Sequence, residues 1–190
     1  AACGILNPLS AVGLLDRCLH HKAKAVIQTG AASQLGRMMI KLLAQNGIEV
    51  INIVRKEEQV QMLKNDYRAH YVLNSEDKCF EQDLWNLTND LGATVALEAV
   101  AGELTGKVLQ VLPRGGILIQ YGALSEQRVS GINPITLIFK AQKIEPFLLT
   151  YWIKDLSYYG QWSAFSASKA LIQDVTVQKE FGLHQIKEAL

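Results

Sequence analysis

The stretch that most restricts this chain is Ala25-Val26-Ile27-Gln28-Thr29-Gly30-Ala31-Ala32-Ser33-Gln34-Leu35-Gly36, followed by a segment with apolar residues at 35, 39, 42 and 43. β-Capable residues run into a small-residue turn, and the turn runs into helical spacing. The helix is predicted to stop at Gly47, and residues 48–54 read as a second buried strand, closing a strand-helix-strand unit. Such a unit commits the chain to parallel pairing, because a crossover helix cannot close a hairpin. Gly30 would let the chain turn sharply after the strand and Gly36 would let the helix pack close to it, with free backbone N–H groups facing a bound pyrophosphate. The middle glycine of the usual GxGxxG is missing, so a loop that merely joins strand to helix remains an open reading.

The end of the second strand narrows the choice. About 20 residues beyond the glycine turn, a NAD-binding domain places Asp or Glu against the ribose hydroxyls. Here Arg55-Lys56 occupies that place. A guanidinium can hold a 2′-phosphate in a two-pronged, charge-assisted hydrogen bond, which a carboxylate would repel. NADPH is therefore favoured over NADH. Two solvated charges at a strand end are the alternative, and Glu57-Glu58 dilute the local positive charge.

With 190 residues, of which 49% are hydrophobic, the chain suits one well-packed domain and hardly two. Lys and Arg number 19 against 18 Asp and Glu, so bulk charge points to no nucleic-acid or membrane-surface partner. No apolar run reaches membrane-spanning length. Cys3, Cys18 and Cys79 lack CxxC-like spacing and are read as buried free thiols of a reducing compartment, cytoplasmic or mitochondrial, between which the sequence does not choose. Adjacent His20 and His21 point in different directions on a helix or a strand, and no metal site is expected.

Along the rest of the chain, Ser10 is expected to cap a short helix that carries Leu14 and Leu15, with 20–24 a polar linker. Residues 57–65 read as an amphipathic helix, 71–73 as a third strand, and Ser75-Glu76-Asp77 as the cap of a helix with Phe80, Leu84 and Leu87 inward and Trp85 covering its side. A fourth strand at 94–100 holds Glu98, read as a carboxylate bonded to loop N–H groups, with a catalytic acid as the alternative. A helix with Leu104, Val108, Leu109 and Leu112 leads to a fifth strand at 117–122 and a short helix at 133–139. Residues 143–152 look like a sixth strand interrupted by Pro146, at a sheet edge able to pair with a second copy. Aromatic residues Tyr158, Tyr159, Trp162 and Phe165 are expected to mark packing, ahead of helical residues 170–172 and 186–190. The expected fold is α/β: a Rossmann-type, doubly wound, parallel six-stranded sheet in three layers, as one NADP-binding domain over 1–190, with 1–22 leading in, 23–152 as core and 153–190 as C-terminal helices and tail. Ligands of such sheets bind outside the carboxyl ends of the strands, where Gly30, Arg55, Val100 and Tyr121-Gly122 fall.

In this order the motifs resemble the nucleotide-binding half of medium-chain dehydrogenase/reductases. Within them the chain looks most like the mitochondrial-type trans-2-enoyl thioester reductases. Their opening Asn-Pro pair implies a cofactor contact by Asn7. Their phosphate loop, often NSGVG, matches Ala32-Ser33-Gln34-Leu35-Gly36, keeping only Ser33 and Gly36. Their VVRDR matches residues 53–57, keeping Arg55 and shifting the second basic residue to Lys56. Their TYGGM matches Gln120-Tyr121-Gly122-Ala123-Leu124, their GFWLSQW matches residues 146–152, and the preceding LIFK is identical at 137–140.

The resemblance implies that Gly30 to Gly36 cradle pyrophosphate, Arg55 and Lys56 the 2′-phosphate, Tyr121 and Gly122 the nicotinamide ribose side, and the backbone of Phe147, Leu148 and Leu149 the carboxamide, with Ala123 and Leu124 also binding the cofactor. Ala32, Ser33, Gln34 and Leu35 belong to that cradle. It also implies that the parent protein reduces the C=C bond of trans-2-enoyl thioesters with NADPH, and the sheet edge at 143–152 is expected to join it into a homodimer. Catalytic residues are expected in an N-terminal domain absent from this chain, so no tyrosine here inherits that role. The alternatives are an NADPH quinone or enone oxidoreductase of the same superfamily and a non-catalytic dinucleotide-binding module.

Overall fold

Strands and helices alternate as the hydrophobic spacing requires. The computed structural model describes residues 3–171. In chain order these form α1 (Cys3–His20), β1 (Ala25–Gln28), α2 (Gln34–Gln45), β2 (Glu49–Val54), α3 (Glu57–Tyr67), β3 (Tyr71–Asn74), α4 (Phe80–Leu91), β4 (Val95–Glu98), α5 (Glu103–Val111), β5 (Ile117–Gln120), α6 (Pro134–Phe139), β6 (Lys143–Pro146), α7 (Leu149–Asp155) and α8 (Tyr158–Leu171). The six strands make one sheet in the order β3-β2-β1-β4-β5-β6, and every pairing is parallel. This is the doubly wound arrangement expected, with the strand order reversing between β1 and β4.

Successive side chains on a strand point to opposite faces. Val26, Val50, Val95, Leu97 and Ile119 accordingly join Leu14 and Cys18 of α1 and Met38, Met39 and Leu43 of α2 in one core. Ala25, Ile27, Ile51, Ile53, Ala96 and Leu118 join Phe80 and Leu84 of α4 and Val108 and Leu109 of α5 in the other. The sheet is thus covered on both faces, which explains why its strands read as nearly continuous apolar runs.

Several local expectations are corrected. α1 begins at Cys3 and runs through Pro8, so Ser10 lies inside the helix and caps nothing. The buried face formed by Leu9, Ala11, Leu14 and Cys18 outweighs the one backbone bond that Pro8 cannot donate. The sixth strand stops at Pro146, after which Phe147 N–H still donates to Gln120 O before α7 begins. Phe147 and Trp152 resembled strand aromatics, but their rings pair 6.3 Å apart over Gly13 of α1, where a Cβ would come within 2.6 Å of Phe147. Trp152 Nε1 donates to Asp16 of α1, and Arg17 and His21 both reach Glu145 on β6, so α1 is strapped to the β6 edge.

α4 starts only at Phe80, without a side-chain cap, because residues 74–77 form a turn in which Asn74 Oδ1 accepts from Glu76 N–H. Trp85 remains more than half exposed. The aromatic residues of α8 do not pack as expected: Tyr158, Tyr159, Trp162 and Phe165 are exposed, while the smaller Ala164 and Ser168, with Leu171, are buried. Of the cysteines, Cys18 is buried, and burial pushes its thiol up to about 12. Cys79 is exposed, since it sits on the surface turn before α4. The helical readings at 172 and 186–190 lie outside the described residues. No helix among the described residues is long and apolar enough to cross a membrane.

Candidate functional site

At the carboxyl end of β1 the chain turns through Gly30, whose φ of +60° is one that side-chain-bearing residues rarely adopt. Ala31 N–H donates to Ile53 O, tying the loop to β2, and Ser33 N–H donates to Gly30 O. Ser33 caps α2, its Oγ accepting from Gly36 N–H at 3.1 Å. Gly36 has no room for a side chain: a Cβ would lie 2.6 Å from Ala31 O and 2.7 Å from Gly30 O. The helix therefore starts against the loop, and its first N–H groups lack intrahelical acceptors.

Two buried carboxamides support this loop from below. Gln28 Nε2 donates to Gly36 O at 3.0 Å and to Asn52 Oδ1 at 3.2 Å. Asn52 Nδ2 in turn donates to Val50 O and Tyr71 O, linking β1, β2 and β3. Neither residue was singled out from sequence. Their signal was an amide in each of two otherwise apolar strands.

Across the strand-order reversal, Glu98 Oε1 accepts from Thr29 Oγ1, Val100 N–H and Ala101 N–H. Thr29 Oγ1 accepts from Ala99 N–H, so the ends of β1 and β4 are latched together. Burial raises the Glu98 pKa against the opposing pull of these hydrogen bonds. This is the loop-bound carboxylate expected. Gly122, at the end of β5, would bring a Cβ within 2.9 Å of Ala99 O, so β4 and β5 end in close contact.

Two adjoining clefts open over these strand ends, and Ser33 and Leu124 line both. The first, of about 350 Å³, lies over β1, β2 and β4 and contains Gly30, Ala32 and Arg55. Among the described residues, Arg55 is its one charged lining residue and no carboxylate lines it. The second, of about 390 Å³, contains Asn7, Gln34, Leu35, Tyr121, Gly122, Phe147, Leu148 and Leu149 and, among the described residues, has no charged lining residue. Burial raises the Tyr121 phenol pKa, with Glu98 adding to the effect, and its hydroxyl has no partner among the described residues.

Thirteen of the sixteen expected site residues thus line one cleft or the other. Gly36 lies beneath the loop rather than in the lining; Lys56 is exposed at the start of α3; Ala123 lines neither cleft. Sequence reading missed Gln59, Ser75 and Ser125 in the first cleft and Leu6 and Ser10 in the second. Gln59 Oε1 accepts from the N–H groups of Arg55 and Lys56, so it fixes the backbone that carries the cation. A Gln one helical turn beyond a charge pair gives little warning of that role. Ser75 was assigned to a helix cap that does not form.

The family model described as zinc-binding dehydrogenase matches residues 35–165. The chain belongs to that family. Among the described residues of this zinc-binding dehydrogenase domain, no group of three or more His, Cys, Asp or Glu is placed to hold a metal ion. The human mitochondrial enoyl-[acyl-carrier-protein] reductase is 31% identical over 157 residues, covering 80% of this chain and 42% of that protein. The chain thus spans less than half the length of that curated relative. A Mesorhizobium loti protein provisionally assigned as an NADPH:quinone reductase is 31% identical, with a TM-score of 0.83 over 91% of this chain and 50% of that one. The complex of Etr1p with NADP and crotonyl-CoA is 21% identical and shares the fold, with a TM-score of 0.75 over 94% of this chain and 52% of that one. The Etr1p/Etr2p heterodimer is from Candida tropicalis. The resemblance to medium-chain dehydrogenase/reductases, and to enoyl thioester and quinone reductases among them, is borne out.

Proposed function

We propose that the chain is the NADPH-binding domain of an oxidoreductase that reduces the C=C bond of trans-2-enoyl thioesters. The observation that carries the cofactor choice is the first cleft's lining, which among the described residues has one guanidinium and no carboxylate beside the glycine turn. That donor set fits a 2′-phosphorylated adenosine. The close packing at Gly36 seats the first turn of α2 against the glycine loop, which fits a ligand whose phosphates would meet backbone N–H groups there. Arg55 would hold the 2′-phosphate, while Gly30, Ala32, Ser33, Gln34 and Leu35 would hold the pyrophosphate, with Gly36 shaping the loop and Lys56 adding charge outside the cleft. Tyr121, Gly122, Ala123 and Leu124 would flank the nicotinamide ribose, with the backbone at Phe147, Leu148 and Leu149 toward the carboxamide and Asn7 toward a ribose hydroxyl.

When bound, NADPH supplies a hydride to the β-carbon of the substrate. The chain's own contribution is placement: it fixes both ends of the dinucleotide and excludes water from one face, which supplies proximity and orientation. No residue here is assigned to proton transfer, and we place that chemistry in the part of the relatives that this chain does not span. The enoyl thioester reading is supported by the name of the human relative. A quinone acceptor is the second reading, supported by the Mesorhizobium loti likeness at 31% identity. Parallel assays of NADPH oxidation with crotonyl-CoA and with a quinone, on the protein carrying its substrate-binding part, decide between them. Oxidation with neither favours a non-catalytic dinucleotide-binding module.

We also place a homodimer contact at the β6 edge. Among the described residues β6 is an edge strand, Ile144 on it is 40% exposed, and Ile138 and Phe139 of the preceding α6 are 72% and 76% exposed. A second copy pairing there would extend the sheet across a twofold axis. Light scattering at high concentration should give a dimer that Phe139→Asp dissociates; a monomeric parent would overturn the assignment.

A further inference from the structure

The second cleft holds a hydrogen bond that a glycine-built phosphate loop cannot make. Asn7 Nδ2 on α1 donates to Gln34 Oε1 at 3.0 Å across 27 residues of sequence, and both side chains line the cleft. A carboxamide carries its oxygen and its NH2 on opposite branches of one planar group. With Oε1 turned toward Asn7, the two N–H donors of Gln34 are directed away from that bond, and among the described residues they have no protein partner. Beside that cleft Gln34 also borders a small crevice with Arg37 and Lys41, whose cations sit over the Tyr67 ring, and among the described residues no carboxylate lines the second cleft. An NH2 in such surroundings is suited to an anionic oxygen.

We infer that Gln34 contacts the dinucleotide pyrophosphate through its side chain, Asn7 acting as the positioning residue that turns the carboxamide so that Nε2 donates to a phosphate oxygen. This rests on the dinucleotide reading above and deepens it. Here a side chain joins the backbone cradle and is aimed from another helix. The clasp also leaves Asn7 Oδ1 as an acceptor, which faces a hydroxyl more favourably than a phosphate.

The test is calorimetric titration of the chain and its variants with NADPH and, in parallel, with 2′-AMP, which carries the Arg55 ligand but no pyrophosphate. Gln34→Glu keeps an oxygen for Asn7 to donate to, so the clasp survives, while the NH2 becomes a second oxygen that repels phosphate. It should weaken NADPH about tenfold or more at low salt, with the loss shrinking as salt rises, and leave 2′-AMP unchanged. Gln34→Ala should weaken NADPH about threefold, and Asn7→Ala combined with it should cost less than the two losses added. NADPH binding unchanged in both Gln34→Glu and Gln34→Ala, with the wild type binding normally, overturns the role of Gln34 alone. A wild type that binds neither NADPH nor 2′-AMP overturns the dinucleotide reading and this inference with it.

Discussion

The two clefts adjoin, share Ser33 and Leu124, and differ in charge. The first places Arg55 among the polar Ser33, Gln59, Ser75 and Ser125 and the apolar Ile53, Val54, Val100, Leu104 and Leu124. The other sets Leu6, Leu35, Phe147, Leu148 and Leu149 around a few neutral polar groups. Charge in the first can tell one dinucleotide from another, because a 2′-phosphate either meets a guanidinium or does not. Shape in the second acts on whatever the first has admitted. Substitutions in the first half should therefore change which cofactor binds, and those in the shared floor should change how well any cofactor binds.

The largest effect expected is from Arg55→Asp. It should weaken NADPH about 100-fold, or about 3 kcal/mol, as loss of a charge-assisted hydrogen bond plus a new repulsion requires, and NADH by less than about threefold. Calorimetric titration with both nucleotides checks this, and equal losses would break the distinction between the clefts.

Gly36→Ala should act on both cofactors alike. A methyl 2.6 Å from Ala31 O forces the loop to move, so we expect about tenfold weaker binding of each nucleotide and about 1–3 kcal/mol of stability lost. Gly47→Ala, where a Cβ meets nothing within 4 Å, should lower stability through its positive φ and leave both affinities unchanged. A Gly36→Ala loss confined to NADPH would place the glycine in the charge-reading half.

The latch between the clefts should show in the pH dependence of stability. Burial raises the Glu98 pKa in the folded protein, so its contribution is full below its unfolded pKa and is lost as pH rises through the folded one. Glu145 has the opposite sign: burial would raise its pKa, but hydrogen bonds from Arg17 and His21 hold it down. Its contribution is present above its unfolded pKa and is lost as pH falls through the folded one. Thermal melts from pH 3 to 8 should therefore flatten on the alkaline side for Glu98→Gln and on the acid side for Glu145→Gln. Identical profiles for the two variants would contradict both assignments.

The smallest effect is expected from Gln59→Ala, which frees the Arg55 backbone without touching its charge. About 1 kcal/mol of stability, as for other lost helix caps, and a two- to threefold loss of NADPH affinity, about 0.5 kcal/mol, should result. Chemical denaturation and titration would measure them.

The sheet and the glycine turn were legible in the sequence because their causes are local. Val26, Val50 and Ile119 sit in short apolar runs between helical spacings, and Gly30 and Gly36 stand where a strand must turn closely into a helix. Arg55 was legible because a charge at a strand end has few structural duties. What escaped depends on partners distant in sequence. α1 passes through Pro8 because its apolar face is buried, and α7 replaces a strand because Phe147 and Trp152 find Gly13 more than 130 residues away. Ser75 and Gln59 enter the first cleft through turn geometry that no periodicity announces. The exposure of Trp162 and Phe165 shows the reverse case, aromatic spacing that suggests burial on a helix whose buried face uses smaller residues.

The Gln28–Asn52 pair also bears on how this sheet finds its alignment during folding. β1 and β2 are buried on both faces and nearly uniform in apolar character, so hydrophobicity alone would permit one strand to slide along the other. The two carboxamides stand directly opposite each other in the register. A slip of one residue would separate them and leave amide groups buried without partners, at about 1–3 kcal/mol for each group. The pair is thus a molecular dowel, penalising every misaligned sheet before a ligand is ever met.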